Sequence, residues 1–302
     1  MSSIFTRPFW VSLFALTAAI AWGWAYPLIK LGFEEFQITP EMTSSKMLFA
    51  GVRFACSGLI LLIIARLTKR DFSVKKKSSC SWAFILVFTL INTALHYAFF
   101  YIGLSHSDGA RAAILNSMSV FVLVLLACVF FPNEQLNARK ILGCTSGFLG
   151  ILILNGGFNT EDISFWGDGM IILNALCSAG ASLMTRGLGK RIDIFVGTGY
   201  SLGVGGLILV LQGIIFGGTL PQVTLLGIIY LLLLIIISSL GFALYNKLII
   251  CNPIGKVAIY NSLIPVVGAL TSCLFLDEPF YFKYIIAVGL AASGIYIINK
   301  GR

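Results

Sequence analysis

The sequence AILNSM at residues 113–118 recurs as AIYNSL at residues 258–263, and each copy opens an apolar run. The first run ends at Glu134 and the second at Glu278, so the motif asparagine precedes the glutamate by 18 residues in one copy and by 17 in the other. A glycine-bearing apolar stretch follows each glutamate. This order and spacing predict two related units, residues 1–157 and residues 158–302, within one membrane domain.

The chain around the two motifs is almost continuously apolar. It is 58% hydrophobic and 11% charged, with a mean hydropathy of +0.95. A helix needs about 20 apolar residues to cross a hydrocarbon core of about 30 Å. The sequence therefore predicts an all-α integral membrane protein with ten transmembrane helices, at 9–32, 47–67, 82–104, 111–132, 140–157, 167–187, 194–217, 223–248, 255–276 and 281–299.

Each unit contains five spans, and a unit with an odd number of spans ends on the side of the membrane opposite to the one where it began. The second unit enters the membrane from the side opposite to the first, so the two five-helix repeats are predicted to be inverted. Inverted repeats are typical of secondary transporters, in which the halves exchange inward-open and outward-open shapes around a midplane site.

The basic residues predict the orientation of the chain. If the amino terminus is cytoplasmic, 16 of the 21 Lys and Arg residues fall on the cytoplasmic side, four fall outside and Arg53 lies within a span. Cytoplasmic loops carry the excess of Lys and Arg in multi-pass proteins. Both termini are therefore predicted to be cytoplasmic, and the net charge of +9 is a topology signal rather than a nucleic-acid surface.

The motifs of this chain resemble those of an EamA-type member of the drug/metabolite transporter superfamily. The resemblance rests on residues 21–23 (AWG) with Lys30, Arg53-Phe54, Asn116-Ser117, Glu134 and Glu278. It implies ten helices, cytoplasmic termini and passage of small metabolites, often amino acids or drugs, across the inner membrane.

Arg53 lies about two turns into helix 2, whereas the other basic residues within the predicted spans lie at the span ends. Charged side chains at membrane depth are expensive and are usually functional. Arg53 is a candidate to hold a substrate carboxylate through a bidentate contact. The alternative is a structural arginine that snorkels outward or pairs with a loop carboxylate.

Aromatic and polar residues supply the other candidate site positions. Trp22, Tyr26 and Lys30 share one face of helix 1, as an aromatic wall for stacking or cation–π contact or as plain helix packing. Asn92 and His96 share a face of helix 3, and His96 is either a titrating group or a neutral hydrogen-bonded histidine.

The second unit offers further candidates for the same cavity. Asn174 begins a polar stripe with Ser178 and Ser182 on helix 6, as interhelical contacts or as cavity lining. Tyr260 and Asn261 precede Pro265, where an irregular helix is expected to open into the cavity. With Tyr245, these residues predict a midplane substrate site lined by helices 1, 3, 6, 8 and 9.

Several function classes are disfavoured by what the sequence lacks. It has no G-x-x-x-x-G-K-[ST] phosphate loop, so ATP is not expected to drive the chain directly. It has no H-E-x-x-H motif, no C-x-x-C pair and no nucleophile–base pattern, so we expect no metal, no cofactor and no enzyme activity. An intramembrane enzyme and a membrane sensor remain remote alternatives.

The sequence therefore predicts a secondary transporter of the cytoplasmic membrane that exports small organic metabolites such as amino acids. A multidrug or cationic amine exporter is the alternative. No carboxylate lies near the middle of a span, so facilitated diffusion or exchange is favoured over proton coupling through a carboxylate. His96 is then the expected proton carrier, if there is one.

Overall fold

The structure, a computed structural model, describes residues 4–74, 79–130, 137–154, 164–252, 257, 259–276 and 278–299. Within these ranges the chain forms ten helices and no strand. The helices are α1 (Pro8–Glu35), α2 (Thr43–Leu67), α3 (79–105), α4 (109–130), α5 (Ala138–Leu154), α6 (165–191), α7 (Ile194–Ile215), α8 (Leu225–Cys251), α9 (259–275) and α10 (Phe282–Asn299). Glu134 and the predicted boundary between residues 157 and 158 lie outside the described residues.

Four of the ten helices are irregular. A π-helical turn, Leu90–Leu95, interrupts α3 between Ser79–Thr89 and His96–Ser105, and a second, Phe165–Gly169, begins α6 before Met170–Arg191. Helix α4 has two segments, Gly109–Asn116 and Met118–Phe130, and α9 begins with a 3₁₀ turn, Ile259–Ser262, before Leu263–Phe275. Such irregular turns are frequent at functional sites because they change the direction in which side chains project.

Short polar side chains begin several of the helices. The Asp193 carboxylate accepts a hydrogen bond from the Phe195 amide at the start of α7, and the Thr224 hydroxyl accepts one from the Gly227 amide at the start of α8. These contacts satisfy backbone donors that have no partner in the first turn of a helix. Pro8 occupies the first position of α1, where its missing N–H costs nothing.

Seven helices of the described chain are long and apolar enough to cross a membrane, namely α1, α2, α3, α4, α6, α7 and α8. Helices α9 and α10 contribute shorter apolar segments, Leu263–Phe275 and Phe282–Gly294. Helix α5 has 17 residues in its described part. The all-helical membrane class is thus found, and all ten predicted spans correspond to helices, three of which are shorter.

Glycines allow the closest helix contact, between α2 and α7. A Cβ added at Gly58 of α2 would lie 2.2 Å from the Gly203 amide nitrogen, and one added at Gly206 of α7 would lie 2.2 Å from the Ala55 amide nitrogen. The two backbones are therefore in contact, and a side chain at either of these glycines would prevent this contact. Small residues allow this kind of approach between membrane helices.

The main helix contacts join the first five helices to the last five. Helix α1 packs on α8 and α9, while α6 packs on α3 and α4. Helix α2 packs on α7, α4 on α9 and α5 on α10. The same set of contacting pairs results when five is added to or subtracted from every helix number. The pair α1–α8, for example, corresponds to the pair α6–α3. The centre of the bundle is consequently shared by both halves of the chain.

Candidate functional site

A cavity of about 100 Å³ lies at this shared centre, among α1, α2, α3, α4, α6, α8 and α9. The sequence predicts five of these helices as its wall, and the structure adds α2 and α4. Its polar and aromatic wall residues are Trp22, Tyr26, Arg53, Asn92, His96, Tyr97, Phe100, Asn116, Ser117, Ser119, Ser178, Ser182, Thr185, Phe242, Tyr245, Asn246 and Asn261. Ala25, Ala113, Val120, Ile264 and Pro265 complete it.

Most of the predicted site residues meet in this cavity. The wall includes Trp22, Tyr26, Arg53, Asn92, His96, Tyr245 and Asn261. Asn174 and Tyr260 are outside it. Asn174 lies behind Asn116, to which it donates a hydrogen bond of 2.7 Å, and the Tyr260 hydroxyl is 2.6 Å from the Ser12 hydroxyl.

Arg53 is the cation of the cavity wall, and neutral groups hold it. Its Nε donates to the Ser238 hydroxyl at 2.8 Å, and one terminal nitrogen donates to the Tyr101 hydroxyl at 2.9 Å. The guanidinium carbon is 4.8 Å from the centre of the Phe54 ring. The residue is 2% exposed, and no described carboxylate forms an ion pair with it. Of the structural alternatives, neither outward snorkelling nor pairing with a described carboxylate is observed.

An aromatic cluster forms another part of the wall. The ring of Trp22 lies 5.3 Å from that of Phe242 and 5.2 Å from that of Tyr245, both in edge-to-face geometry. The indole fits against Gly241, where an added Cβ would lie 2.6 Å from Trp22 Nε1. The absence of a side chain at Gly241 therefore leaves room for the indole in this position.

A chain of hydrogen bonds links α1, α4 and α6 beside the cavity. The Asn116 amide donates to the Tyr26 hydroxyl at 2.9 Å, and the Asn174 amide donates to the Asn116 carbonyl at 2.7 Å. In the sequence, Asn116 marks the repeat and is not among the predicted site residues. The signal was available, because Asn261, its counterpart in the second motif, was chosen.

The π-helical turn of α3 places Asn92 and His96 at the cavity. The Asn92 amide donates to the Ser201 hydroxyl of α7 at 3.0 Å. The His96 ring packs 4.4 Å from the Tyr97 ring, and its buried Nδ1 has no hydrogen-bond partner among the described residues. The interpretation of His96 as a neutral, hydrogen-bonded histidine is therefore not supported at Nδ1. This buried polar atom has no hydrogen-bond partner among the described residues.

Residues of the second half complete the wall. Tyr245 of α8 lies in the cavity wall with Ser182 of α6 and Asn261 of α9. The neighbouring Asn246 donates to the Thr198 hydroxyl of α7 at 3.0 Å. Three of these helices therefore contribute hydroxyl and amide groups to the wall, the kind of lining that binds polar atoms of a small molecule.

Two ion pairs lie at the end of the bundle where α1 ends and α4 and α6 begin. Lys30 Nζ is 3.1 Å from Glu278 Oε1, which also accepts a hydrogen bond of 2.9 Å from the Gly109 amide. Arg111 is 2.7 Å from Asp168 Oδ2. We call these five residues the ion-pair cluster. Since Lys30 follows Tyr26 by four residues, the cluster lies about 6 Å along α1 from the cavity.

The described part of the chain contains no group of three or more His, Cys, Asp or Glu residues arranged to hold a metal ion. The site chemistry that the described residues offer is therefore that of one cation, several hydroxyl and amide groups, and aromatic faces. Groups of this kind can bind and orient a small molecule.

Comparison with known proteins gives a consistent result. The sequence model of the EamA-like transporter family matches the chain twice, over residues 9–156 and 165–300. The uncharacterized transporter YvbV of Bacillus subtilis (strain 168) is 26% identical over 289 residues, which cover 93% of this chain and 88% of the relative. A probable amino-acid metabolite efflux pump of Salmonella typhimurium is 21% identical over 298 residues, which cover 94% and 92%.

One solved crystal structure also has the same fold. It aligns with a TM-score of 0.71 at 17% identity and covers 95% of this chain and 96% of that one. At this identity the likeness concerns the fold alone.

Proposed function

This chain belongs to the EamA-like transporter family, and we propose that it is a secondary transporter that exports amino acids or similar small metabolites across the cytoplasmic membrane. The family and the apolar helices make it a multi-pass membrane transporter. The proposal adds the substrate class, the direction and the route. Distant relatives named as probable amino-acid metabolite efflux pumps support the substrate class and the direction.

The observation that carries the substrate class is the state of Arg53. Its guanidinium is buried in the cavity wall, held by the hydroxyls of Ser238 and Tyr101, without a described carboxylate partner. A substrate carboxylate is the group that best complements a guanidinium. The Trp22 cluster would then face the apolar part of the substrate, and an ammonium group would meet aromatic faces and amide oxygens.

We also propose that residues 1–157 and 158–302 are inverted five-helix repeats that alternate access to the cavity. Two separate matches to the same family model support two related units, and so does the helix contact pattern that repeats after a shift of five. A single cavity shared by both halves suits alternating access around a midplane site.

For the orientation, we propose cytoplasmic amino and carboxyl termini, on the strength of the Lys and Arg distribution. Single cysteines introduced at Ser73 and Lys190 would then be protected from an impermeant thiol reagent in intact cells, whereas one at Thr219 would react. The reverse labelling pattern would contradict the orientation.

The cationic amine exporter is the second candidate, and the aromatic wall around Trp22 is the observation in its favour. The position of Arg53 argues against it, since a fixed cation repels an amine that has no carboxylate. Competition between the two substrate classes separates the candidates.

The test uses purified protein in liposomes. Radiolabelled leucine, phenylalanine and threonine are expected to show saturable transport that unlabelled amino acids inhibit and that the corresponding amines inhibit poorly. Cells that overproduce the protein are expected to resist toxic amino-acid analogues, because export lowers the internal concentration. Saturable transport of a sugar phosphate, with no response to any amino acid or amine, would reject the substrate class.

A further inference from the structure

The cations of this protein differ in how their charges are compensated. Lys30, Arg111 and Arg70 each form an ion pair with a carboxylate, at 3.1, 2.7 and 3.8 Å. Arg53 is more deeply buried than these and forms no ion pair with a described residue. Its two hydrogen bonds go to neutral hydroxyls, which orient the guanidinium without cancelling its charge.

An uncompensated cation in a membrane protein depends on water or on an anion. While the cavity is open, water can reach the part of the guanidinium that lines it. When the two halves close around an empty cavity, that water is lost and the charge is left in a medium of low dielectric constant, which strongly disfavours the closed state. A bound carboxylate replaces the lost hydration and removes this penalty.

We propose that Arg53 makes closure of the cavity depend on a bound carboxylate, so that the protein exchanges carboxylate-bearing molecules across the membrane and returns empty only slowly. This inference rests on the proposed function, since it takes Arg53 as the site of the substrate carboxylate. It goes further in naming the step that the carboxylate controls and the resulting mode of transport.

The hydrogen bonds of Arg53 fit this role. Ser238 on α8 and Tyr101 on α3 bind the Nε and one terminal nitrogen, while Arg53 itself is on α2. The second terminal nitrogen has no hydrogen bond to a described residue. The guanidinium is thus fixed between three helices of both halves, with donor capacity left for a mobile anion.

The first experiment compares exchange with net efflux in liposomes that contain the purified protein. The vesicles are loaded with radiolabelled leucine and diluted into buffer with or without unlabelled leucine. We expect external leucine to accelerate efflux by about 10-fold or more, because the return of the empty carrier is the slow step. External leucinamide, which lacks the carboxylate, is expected to give no acceleration above that of protein-free vesicles. Equal rates of net efflux and exchange, or equal acceleration by leucinamide, would overturn the proposal.

The second experiment removes the charge. Arg53→Gln is expected to bring the ratio of exchange to net efflux close to 1, because the empty cavity of the variant closes without penalty. Arg53→Lys keeps the charge and is expected to keep a high ratio. Arg66→Gln, the same substitution at an exposed position of the same helix, is the matched control and is expected to behave as wild type. An undiminished ratio in an Arg53→Gln variant that elutes as a folded protein would overturn the proposal.

The outcomes separate this inference from the proposed function. If wild-type protein transports leucine, phenylalanine and threonine with equal exchange and net efflux, the substrate class stands and the exchange mechanism fails. If it transports none of the three, the proposed substrate class fails and the exchange mechanism fails with it.

Discussion

The ion-pair cluster and the Arg53 site both contain basic side chains. Those of the cluster are paired with carboxylates, whereas Arg53 is not paired with a described carboxylate. In the cluster, Lys30 and Arg111 form ion pairs with carboxylates. The Glu278 carboxylate also accepts a hydrogen bond from the amide of Gly109, the first residue of α4. In the cavity, Arg53 meets only hydroxyls and an aromatic ring. The cluster lies about 6 Å along α1 from the cavity, and the two regions differ in the partners that their charges meet.

On the proposed function, this difference separates a structural use of charge at the cluster from substrate binding at Arg53. An ion pair that joins helix ends has its own counter-charge, and its removal mainly affects how the helices are held together. A buried cation without a described counter-charge is unfavourable for folding, and charged side chains at membrane depth are usually functional. Charge removal is therefore expected to affect binding at Arg53 and stability at the cluster.

The largest effect on transport is expected for Arg53→Gln. Loss of a buried charge-assisted contact to the substrate carboxylate is expected to lower the transport efficiency for leucine by about 100-fold, since such contacts contribute about 2–5 kcal/mol. The thermal midpoint in detergent is expected to stay the same or rise, because an uncompensated charge is removed. Initial rates over a range of leucine concentrations and a thermal unfolding curve give the two values.

The same variant separates the two interpretations of Arg53 that the sequence left open. If Arg53 has a structural role, Arg53→Gln is expected to cause a large loss of thermal stability together with loss of transport. That result would remove the distinction between the cavity and the cluster.

The next effect is expected for Gly241→Ala in the aromatic part of the cavity. The new methyl group would lie 2.6 Å from Nε1 and 2.9 Å from Cε2 of Trp22, which is too close for carbon and nitrogen atoms. The indole is packed against Phe242 and Tyr245, so it must move, and this changes the shape of the cavity wall to which it belongs. Overpacking of this kind lowers the free energy of unfolding by about 1–3 kcal/mol. Because the displaced indole changes the substrate site, we also expect the KM for leucine to rise, by about 10-fold.

Gly289→Ala is the matched control for this change. An added Cβ at Gly289 of α10 meets no atom within 4 Å, so transport is expected to be unchanged. An unaltered KM in the Gly241→Ala variant would show that the indole does not shape the substrate site.

The sequence predicted the helical membrane class because apolar stretches of about 20 residues and loop charges are local properties. It also predicted Arg53 as a site residue, since a charge inside a span is conspicuous. It did not predict that Gly241 supports Trp22, or that Ser238 and Tyr101 hold Arg53. These contacts join helices far apart in the chain, and neither periodicity nor composition encodes which side chains meet.

A moderate effect is expected for Tyr101→Phe, which tests how Arg53 is held. The change removes the hydroxyl that accepts a hydrogen bond from the guanidinium at 2.9 Å. The ring remains to pack against Phe33 and Phe49. Loss of one hydrogen bond of about 1 kcal/mol is expected to raise the KM for leucine about fivefold.

The effect of Tyr101→Phe is expected to vanish in an Arg53→Gln background, because the hydroxyl acts through the arginine. Tyr200→Phe, on α7 and outside the cavity wall, is the matched control. Additive losses in the double variant would assign Tyr101 a role independent of Arg53.

The smallest effect on transport is expected at the ion-pair cluster, for Glu278→Gln. The neutral amide keeps a carbonyl oxygen for the Gly109 amide but loses the attraction to Lys30, whose side chain is 23% exposed. A partly exposed pair contributes about 1 kcal/mol at most, so the thermal midpoint is expected to fall by about 2–4 °C. The KM for leucine is expected to change by less than about twofold, because the pair lies outside the cavity wall. A rise in KM comparable to that of Arg53→Gln, at unchanged stability, would place Glu278 in the substrate site and end the distinction between the two regions.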